Sequence, residues 1–351
     1  MSSMLELFTL QKELSAIAAV SGREKPQREY IKEKVAPLVE EITIDAMGNL
    51  ICHRSSHKVG AKKLMLAAHM DVIGFYVRSI DEEGYIWIDD AGGIWHGALI
   101  DKPVRFPNGV KGTIREACFG SAAGKTLHNM NCNDICVDIG AEHGEEARTM
   151  VSVGDWVCFD TPTEQLLNER IMTPYADDLV ACGALMILLE KLKEKELGMD
   201  LTVVFTTQEE VGLKGARTSA FGVQPDYAIA VDVTQVDDAP YCNKILGEVA
   251  MDGGPVLRER SAGEICDRIF NDQLEAAAKS CGIQVQRPAT RRGGTDAGAM
   301  QLAGAGVTVA SVGIPTRHIH YTDEIYSMKD VNEIVCLLTK LLEEGLPEVA
   351  R

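Results

Sequence analysis

Two histidines and several acidic residues stand where predicted strands end or a predicted helix begins. His69 and Asp71 follow the apolar stretch KLMLAA, and Glu209 and Glu210 follow LTVVFTTQ. Taken singly, such residues are commoner as turn formers, helix caps or solvated pairs than as functional groups. In open α/β sheets, however, ligands bind beyond the strand ends, where these side chains would meet. The set consists of His69, Asp71, Asp177, Asp178, Glu209, Glu210, Asp232 and His320.

Imidazole and carboxylate groups in this combination are typical ligands of divalent transition metals. A mixed nitrogen and oxygen set suits zinc, cobalt or manganese better than calcium. Five such ligands are too many for one tetrahedral ion, and they suit two ions that share a carboxylate at a separation of about 3.5–4 Å. Two dications would also neutralise the repulsion among clustered acids, which otherwise raises their pKa values. The pattern predicts a two-metal site of the kind found in hydrolases.

Helices and strands that could carry these residues are predicted on both sides of a central segment. LELFTLQKELSAI has apolar residues at helical spacing, and SGRE places Ser21 and Glu24 at the spacing of a capping box before a second helix. EEITIDAMGNLICHR predicts two strands around a turn. ADDLVACGALMILLEKLKEK predicts a helix with Asp177 and Asp178 at its start, and DYAIAVDVT predicts a strand that ends at Asp232.

The central segment, residues 73–165, has a different pattern. Short predicted strands alternate there with Gly and Pro turns, as in GYIWIDD and KPVRFPNGVKGTI. We therefore predict an α/β fold with a mixed, largely parallel sheet and helices on both faces, plus an inserted β-rich barrel or sandwich domain. The predicted domains are a discontinuous catalytic domain, residues 1–72 and 166–351, and the inserted domain, residues 73–165.

The composition argues against several classes of partner. The 351-residue chain has a formal net charge of −17, which makes it a poor partner for nucleic acid or an anionic membrane. Glu6, Lys12 and Glu13 interrupt any signal-peptide core, and no apolar run approaches the roughly 20 residues that span a bilayer. The ten cysteines form no CxxC pair, which favours free thiols in a reducing compartment. We expect a cytoplasmic protein.

The order of the candidate residues resembles one known family. The pattern H-x-D, D-D, E-E, D and a final H occurs in AHMDVIGF, YADDLVACGAL, TTQEEVGLKGA, VDVT and GIPTRHIH, with GGTDAGA between the last two. These stretches resemble the dinuclear, or co-catalytic, metallo-aminopeptidases, and among them the tetrahedral aminopeptidase and glutamyl aminopeptidase family. The resemblance covers nearly the whole chain, including the position of the inserted β-rich segment.

The resemblance implies a complete set of metal ligands. His69, Asp177 and Asp232 would bind one ion. Asp177, Glu210 and His320 would bind the other, so Asp177 would bridge the two. The cofactors implied are two divalent metal ions per subunit, zinc or cobalt.

The resemblance also implies roles for the neighbours of the ligands. Glu209 would be the general base, which takes a proton from the metal-bound water and passes it to the leaving amine. Asp71 would hydrogen-bond His69 and fix its tautomer. The Asp177–Asp178 peptide bond would be cis. The substrates implied are short peptides that lose their N-terminal residue, because the free α-amine would bind one metal.

Some residues depart from the family pattern. Leu179 stands where the helix after the acid pair usually begins with arginine. His318 and Tyr321 differ from the usual neighbours of the last histidine, and GGIWHGAL is unusual. These departures bear on substrate preference and on how the acid pair is braced. We expect His318 to lie beside the site and not to bind a metal. The inserted segment resembles the family's dimerisation domain, which implies a homo-oligomer, from a dimer to a tetrahedral dodecamer.

Other functions fit parts of the pattern. Another two-metal amide hydrolase, such as a carboxypeptidase or an N-deacylase, could use the same ligands, and blocking the substrate amine would separate it from an aminopeptidase. An endoglucanase would need an acid and a carboxylate flanking a sugar, without metal. A non-catalytic scaffold that kept the fold is the remaining alternative, although all the predicted ligands and the base are present.

Overall fold

The computed structural model describes residues 2–116, 129–236, 238 and 249–346. Its main parts are one large mixed sheet with helices and a closed six-strand barrel, so the predicted fold class is confirmed. Within the described residues, no helix has both the length and the apolar character needed to cross a membrane.

The large sheet is built around four parallel strands. Their residues are almost all buried, as expected where helices cover both faces of a sheet. Antiparallel strands continue the sheet on both sides of this centre. The spatial order is β1 (Glu41–Ile44), β2 (Leu50–Arg54), β12 (Asp200–Thr206), β3 (Lys63–His69), β13 (Tyr227–Gln235), β15 (Thr308–Arg317), β16 (Glu324–Ser327), β11 (Arg170–Thr173) and β10 (Glu164–Gln165), with β14 (Val256–Leu257) paired to β15.

Helices cover both faces because side chains alternate along each strand. The helices are α1 (Ser2–Ile17), α2 (Lys25–Val35), α3 (Gly144–Met150), α4 (Ala176–Leu192), α5 (Lys214–Val223), α6 (Arg268–Ser280), α7 (Asp296–Met300) and α8 (Met328–Glu344). In β3, Leu64 and Leu66 belong to the core that α1, α2, α4, α6 and α8 complete. Met65 and Ala67 belong to a second core, which α5 and α7 complete.

The predicted β-rich segment forms a closed antiparallel barrel. Inward-facing side chains such as Phe75, Ile88 and Phe159 are buried, and the rings of Phe75 and Phe159 meet edge to face. The last barrel strand ends at Phe159, and β10 already pairs with β11 of the large sheet. The bounds 73 and 165 stay a prediction. The barrel order is β4 (Gly74–Ile80), β5 (Ile86–Ala91), β8 (Ile135–Asp138), β7 (Lys111–Glu116), β6 (Pro103–Arg105) and β9 (Trp156–Phe159).

The predicted capping box at the start of α2 is wrong. Glu24 is the residue before the helix, and its side chain does not cap it. The side chain of Ser21 instead donates to Asp71, and that of Glu24 accepts from the backbone N–H groups of Gly22 and Gln208. Each side chain therefore bonds to a residue outside the helix, and Asp71 and Gln208 are distant in sequence.

The prediction that Asp232 ends its strand is also wrong. β13 continues to Gln235 because its pairing with β15 continues as far as Gln235 and Thr316. Asp232 is therefore an acidic residue inside a buried parallel strand, where a neighbouring charge or ion is needed to compensate it.

Candidate active site

His69 and Asp232 lie beside each other on one face of the large sheet. β3 and β13 are parallel, and Ala67 pairs with Ala230, so two residues further along His69 falls opposite Asp232. Alternation places both side chains on the face covered by α5 and α7. Only 2% of the surface of His69 and 6% of that of Asp232 is exposed.

The acid pair lies in the first turn of α4, and Asp177 stands between the two predicted histidine ligands. Its Oδ1 is 3.0 Å from His69 Nε2, and its Oδ2 is 3.3 Å from His320 Nε2. Asp178 braces the same region, because its Oδ2 accepts the backbone N–H of His69 at 3.2 Å. The peptide bond between the two aspartates is cis, as the resemblance implied.

Glu210 approaches the same cluster from the turn after β12. Its Oε2 is 3.4 Å from His320 Nε2. The structure thus brings all five predicted ligands together, and it adds Asp178, which was not a predicted ligand. Two overlapping sets have ligand atoms within 4.8 Å of one another: His69, Asp177 and Glu210, and His69, Asp178 and Asp232.

Glu209 and Glu210 lie in a turn that Asp71 holds. β12 ends at Thr206, and the backbone of Gln208 is left-handed, with φ 55°. The carboxylate of Asp71 accepts the N–H of Glu209 at 3.0 Å through Oδ1 and that of Glu210 at 3.2 Å through Oδ2. Both glutamates consequently line the same pocket.

Asp71 hydrogen-bonds His69, as the resemblance implied, and does so through its main chain. His69 Nδ1 hydrogen-bonds to the main-chain carbonyl of Asp71 at 3.0 Å, whereas the nearest carboxylate oxygen lies 3.7 Å away. The bond uses the carbonyl because the carboxylate already accepts from the Ser21 hydroxyl and the amides of the turn. A carbonyl can only accept, so the proton stays on Nδ1, and Nε2 is left as the ligand atom.

Glu324, which the sequence did not single out, holds two of the ligand residues. It is 1% exposed, and its carboxylate accepts the backbone N–H of Asp177 and that of His320, each at 2.8 Å. The only signal in the sequence was an acid four residues after the last histidine. Nothing in that spacing shows that Glu324 is buried or that it reaches Asp177.

Asp296 is a second acid whose role was not predicted, although its stretch GGTDAGA was noted. Its Oδ2 accepts the hydroxyl of Thr206 at 2.5 Å, and its Oδ1 has no hydrogen-bond partner in the part of the chain that the structure describes. Burial and nearby carboxylates, opposed by His69, raise the pKa of Asp296 to about 6. Asp296 therefore adds a further acid to the cluster.

Shared burial raises the pKa values of most acids in the cluster. Burial, followed by the charge of Asp177, raises the pKa of Asp232 to about 7. Burial also raises the pKa of Glu209 well above its usual value, although His69 opposes the shift. Burial disfavours the charged form of His69, but its contact with Asp177 and the other carboxylates outweighs this and raises its pKa.

The geometry of the donors fits divalent ions better than hydrogen bonding among the side chains. Asp177 Oδ1 lies 3.0 Å from His69 Nε2, yet neither this oxygen nor the buried Glu210 Oε1 has a hydrogen bond of good geometry to any of the described residues. Such contacts are expected when side chains converge on a common ion and not on each other. Unpaired carboxylate oxygens are otherwise costly to bury.

The unusual GGIWHGAL stretch packs its glycines against two ligands. A Cβ on Gly92 would lie 3.2 Å from Glu210 Oε2, and one on Gly93 would lie 3.3 Å from His320 Nδ1. Gly92 also has a φ of 95°, which favours glycine. The backbone of this stretch therefore closes one side of the candidate metal site.

A pocket of about 500 Å³ opens onto the cluster. This volume is in the usual range for small-molecule sites. Leu213, Val233 and Ile319 give it apolar walls, and Arg258 and Thr290 lie in its lining. The pocket can hold a small or extended substrate whose end lies beside the acids.

The residues that depart from the family pattern surround the site. Leu179 is fully buried in the core, and the acid pair is held through the backbone N–H of Asp177 by Glu324 and not by an arginine at position 179. The exposed His318 contacts the ring of Tyr321, with centroids 5.9 Å apart, and Tyr321 also meets Trp95.

Comparison with known proteins identifies the family. A model of the M42 glutamyl aminopeptidases matches residues 48–337 of this chain. The chain belongs to the M42 family. Membership makes it a peptidase, a hydrolase of peptide bonds with aminopeptidase function, and confirms the resemblance seen in the sequence.

Relatives of this M42 chain match along nearly their whole length. The lysyl aminopeptidase of Pyrococcus furiosus is 34% identical, and the match covers 97% of this chain and 98% of the relative. An aminopeptidase of Desulfurococcus kamchatkensis has a similar structure (TM-score 0.92, 31% identity, 98% and 96% coverage). The TET1 peptidase of Pyrococcus horikoshii, which can assemble into a tetrahedron or a large octahedral shell, also has a similar structure. Its TM-score is 0.86 at 29% identity, and the match covers 96% of this chain and 99% of the relative.

Proposed function

We propose that this M42 aminopeptidase releases N-terminal residues from short peptides with the help of two divalent metal ions, zinc or cobalt. His69, Asp177 and Asp232 would hold one ion, and Asp177, Glu210 and His320 the other. When bound, such ions act as Lewis acids and lower the pKa of water.

The observation that carries this proposal is the position of Asp177. Its two carboxylate oxygens face different histidines, at 3.0 Å and 3.3 Å, and one of them has no hydrogen bond. A carboxylate that presents one oxygen to each of two imidazoles is suited to bridge two ions. Asp178 also contacts His69, but its carboxylate accepts the backbone N–H of His69 at 3.2 Å and not the imidazole. We therefore assign Asp178 a bracing role.

Glu209 is the residue we assign as general base. It lines the pocket beside the ligands, and Asp71 fixes its backbone. Its raised pKa suits a group that must take and return a proton near neutral pH. In this role Glu209 accepts a proton from the attacking water and delivers it to the nitrogen of the leaving amine.

We attribute the restriction to N-terminal residues to the free α-amine of the substrate, which could bind one of the two ions, as the family resemblance implies. Glu209, Glu210, Asp177 and Asp232 line the pocket, and an internal peptide segment, which offers no free amine to an ion held there, would be disfavoured relative to an N-terminal residue. A peptide with a blocked amine lacks this interaction, and we expect it to be a poor substrate.

The barrel is proposed to mediate dimerisation. The P. horikoshii relative assembles into closed shells, and a shell with inward-facing sites would admit short peptides in preference to folded proteins. Light scattering after size-exclusion chromatography should give the mass of a dimer or of a multiple of it. A monomer at micromolar concentration would contradict this part of the proposal.

A panel of aminoacyl reporter substrates tests the function. The enzyme is treated with a chelator, reloaded with zinc or cobalt, and assayed on each substrate with a free and with an acetylated amine. We expect cleavage of the free-amine substrates only, lost on chelation and restored by metal. Cleavage of acetylated substrates would favour an N-deacylase, and release of C-terminal residues would favour a carboxypeptidase.

A further inference from the structure

The turn that carries Glu209 and Glu210, residues 207–212 (the catalytic turn), is held by side chains from distant parts of the chain. Four consecutive backbone N–H groups, those of residues 207–210, each donate to a side-chain oxygen. The acceptors are Asn49 for the first, Glu24 for the second and Asp71 for the last two. Because no acceptor belongs to the turn itself, its shape depends on where these side chains are held.

Two of the acceptors depend on residues 20–24, which we call the strap. Glu24 belongs to the strap, and its Oε1 accepts the N–H of Gln208 at 3.2 Å and that of Gly22 at 2.6 Å. Ser21 donates its hydroxyl to Asp71 Oδ2 at 2.6 Å. The strap therefore acts on residues 208–210, directly through Glu24 and indirectly through Asp71.

The other side of the strap is fixed to the barrel. The hydroxyl of Tyr76 in β4 donates to the carbonyl of Ser21 at 2.7 Å. The guanidinium of Arg23 lies over the rings of Tyr76 and Trp156, 5.6 Å and 5.8 Å from their centroids. Val20 forms a bridge with Val72, just before the barrel begins. The strap is thus a continuous connection between the barrel and the catalytic turn.

Ser21 and Glu24 are buried and do not line the pocket. They are 4% exposed each, and the lining consists of other residues. Neither side chain caps helix α2. The Glu24 carboxylate bonds to the turn and the Ser21 hydroxyl bonds to Asp71, and these hydrogen bonds offset the cost of burying both polar groups.

We propose that the strap positions the general base: Glu24 directly, and Ser21 through Asp71, set the direction in which Glu209 faces the pocket, and Tyr76 links that setting to the barrel. The inference rests on the proposed function of Glu209. Ser21, Glu24 and Tyr76 are positioning residues, since they do not reach the substrate. A misplacement of about 1 Å at a reacting group can cost about 100-fold in rate.

The test compares metal-loaded, full-length variants. Glu24→Ala and Ser21→Ala remove the contacts, whereas Glu24→Gln keeps the one oxygen that accepts both bonds. Glu29→Ala, at an exposed glutamate of α2, is the matched control. The measurements are kcat, KM, bound metal per chain, and hydrogen exchange of the amides of residues 207–212, which needs no substrate.

We expect Glu24→Ala and Ser21→Ala to lower kcat by about tenfold or more and to speed exchange in the catalytic turn, with KM and bound metal unchanged. Glu24→Gln and Glu29→Ala should resemble the wild type. Wild-type kcat and exchange in both alanine variants would overturn the proposal, and so would equal losses in Glu24→Gln and Glu24→Ala.

Two further controls keep the test decisive. If Glu24→Ala does not fold, Tyr76→Phe and Ser21→Ala, which each remove a single hydroxyl, should still speed exchange in the turn, and unchanged exchange would overturn the proposal. If the wild type shows no aminopeptidase activity, the proposed function fails, whereas the exchange measurement still decides whether the strap holds the turn.

Discussion

At the scale of single residues, Asp177 is the centre of the site. Its two oxygens face His69 and His320 separately, and its backbone N–H is held by the buried carboxylate of Glu324. The two histidines lower the pKa of Asp177 although burial by itself would raise it. Asp177 therefore stays charged while most acids around it are shifted toward protonation.

Replacing Asp177 should affect both ions, because it belongs to both proposed ligand sets. We expect Asp177→Asn to weaken the binding of each ion by more than about 100-fold, since the loss of a metal ligand costs more affinity than the loss of a residue that only hydrogen-bonds to a ligand. Asp232→Asn, the matched control, should weaken one ion only. Titration calorimetry of zinc into chelated protein measures both. Loss of one ion alone in Asp177→Asn would show that Asp177 is not the bridge.

Glu324→Gln should weaken metal binding without removing a ligand. The carboxylate accepts two N–H groups, whereas the amide can accept through one oxygen only and would turn its NH₂ toward the other donor. We expect about a 10–100-fold loss of metal affinity, with the fold retained in circular dichroism. Glu164→Gln, at an exposed glutamate of β10, should have no effect. Wild-type affinity in Glu324→Gln would refute this role.

At the scale of elements, strands of the large sheet carry two of the proposed ligands, and the segments that follow the strands surround them. β3 and β13 supply His69 and Asp232 from one face of the sheet, and the GGIWHGAL segment closes the cluster from the barrel side. The glycine backbone comes so close to Glu210 and His320 that a side chain there would compete with the ligands for space.

Gly92→Ala should therefore disturb the metal centre as well as the fold. The φ of 95° is unfavourable for alanine, and the new Cβ would lie 2.7 Å from Ile73 and 3.2 Å from Glu210 Oε2. We expect a loss of about 1 kcal/mol or more in the free energy of unfolding, together with weaker metal binding. Gly222→Ala, where a Cβ meets nothing within 4 Å, is the control. Denaturant unfolding and metal titration measure the two effects.

Much of this architecture could be predicted from periodicity, because local patterns determine it. The alternation and apolar runs of the strands and the helical spacing of α1 and α8 are visible in the sequence. The catalytic turn was not predictable, since its acceptors are Glu24, Asn49 and Asp71. Glu324 was missed for the same reason: its partner Asp177 lies 147 residues away.

At the scale of the whole molecule, the buried acids lead us to expect that the stability of the fold depends on the proposed ions. Burial, and after it repulsion between neighbouring carboxylates, raises the pKa values of Asp232, Asp296 and Glu210, which opposes folding at neutral pH. Ions that bind only the folded chain add stability by mass action, about 2.7 kcal/mol when the free ion is at 100 times its Kd. We expect chelation to lower the melting temperature.

The effect of metal on stability should grow as the pH rises. The pKa of Asp232 in the folded chain is about 7, above its ordinary value of 3.8, so the metal-free fold binds this proton more tightly than the unfolded chain does. Its contribution to the stability of the metal-free protein is therefore favourable below pH 4 and is lost as the pH rises to about 7. Metal binds the deprotonated carboxylate, so the affinity for metal also increases as the pH rises.

Thermal unfolding with and without zinc at pH 5.5 and pH 8 checks this dependence. The difference in melting temperature between the loaded and the chelated protein should be larger at pH 8. A difference that is equal at both values, or larger at pH 5.5, would show that the ion does not displace protons from this cluster.

The most direct test of the account is the metal content and turnover of Glu209→Gln. The substitution keeps the shape of the side chain and all five proposed ligands, so the account predicts two bound ions per chain, as in the wild type. It also predicts a turnover lower by about 100-fold or more, since a general base typically contributes about 10²–10⁴-fold. Wild-type turnover in Glu209→Gln, or full wild-type activity after both ions have been removed, would contradict the proposed mechanism.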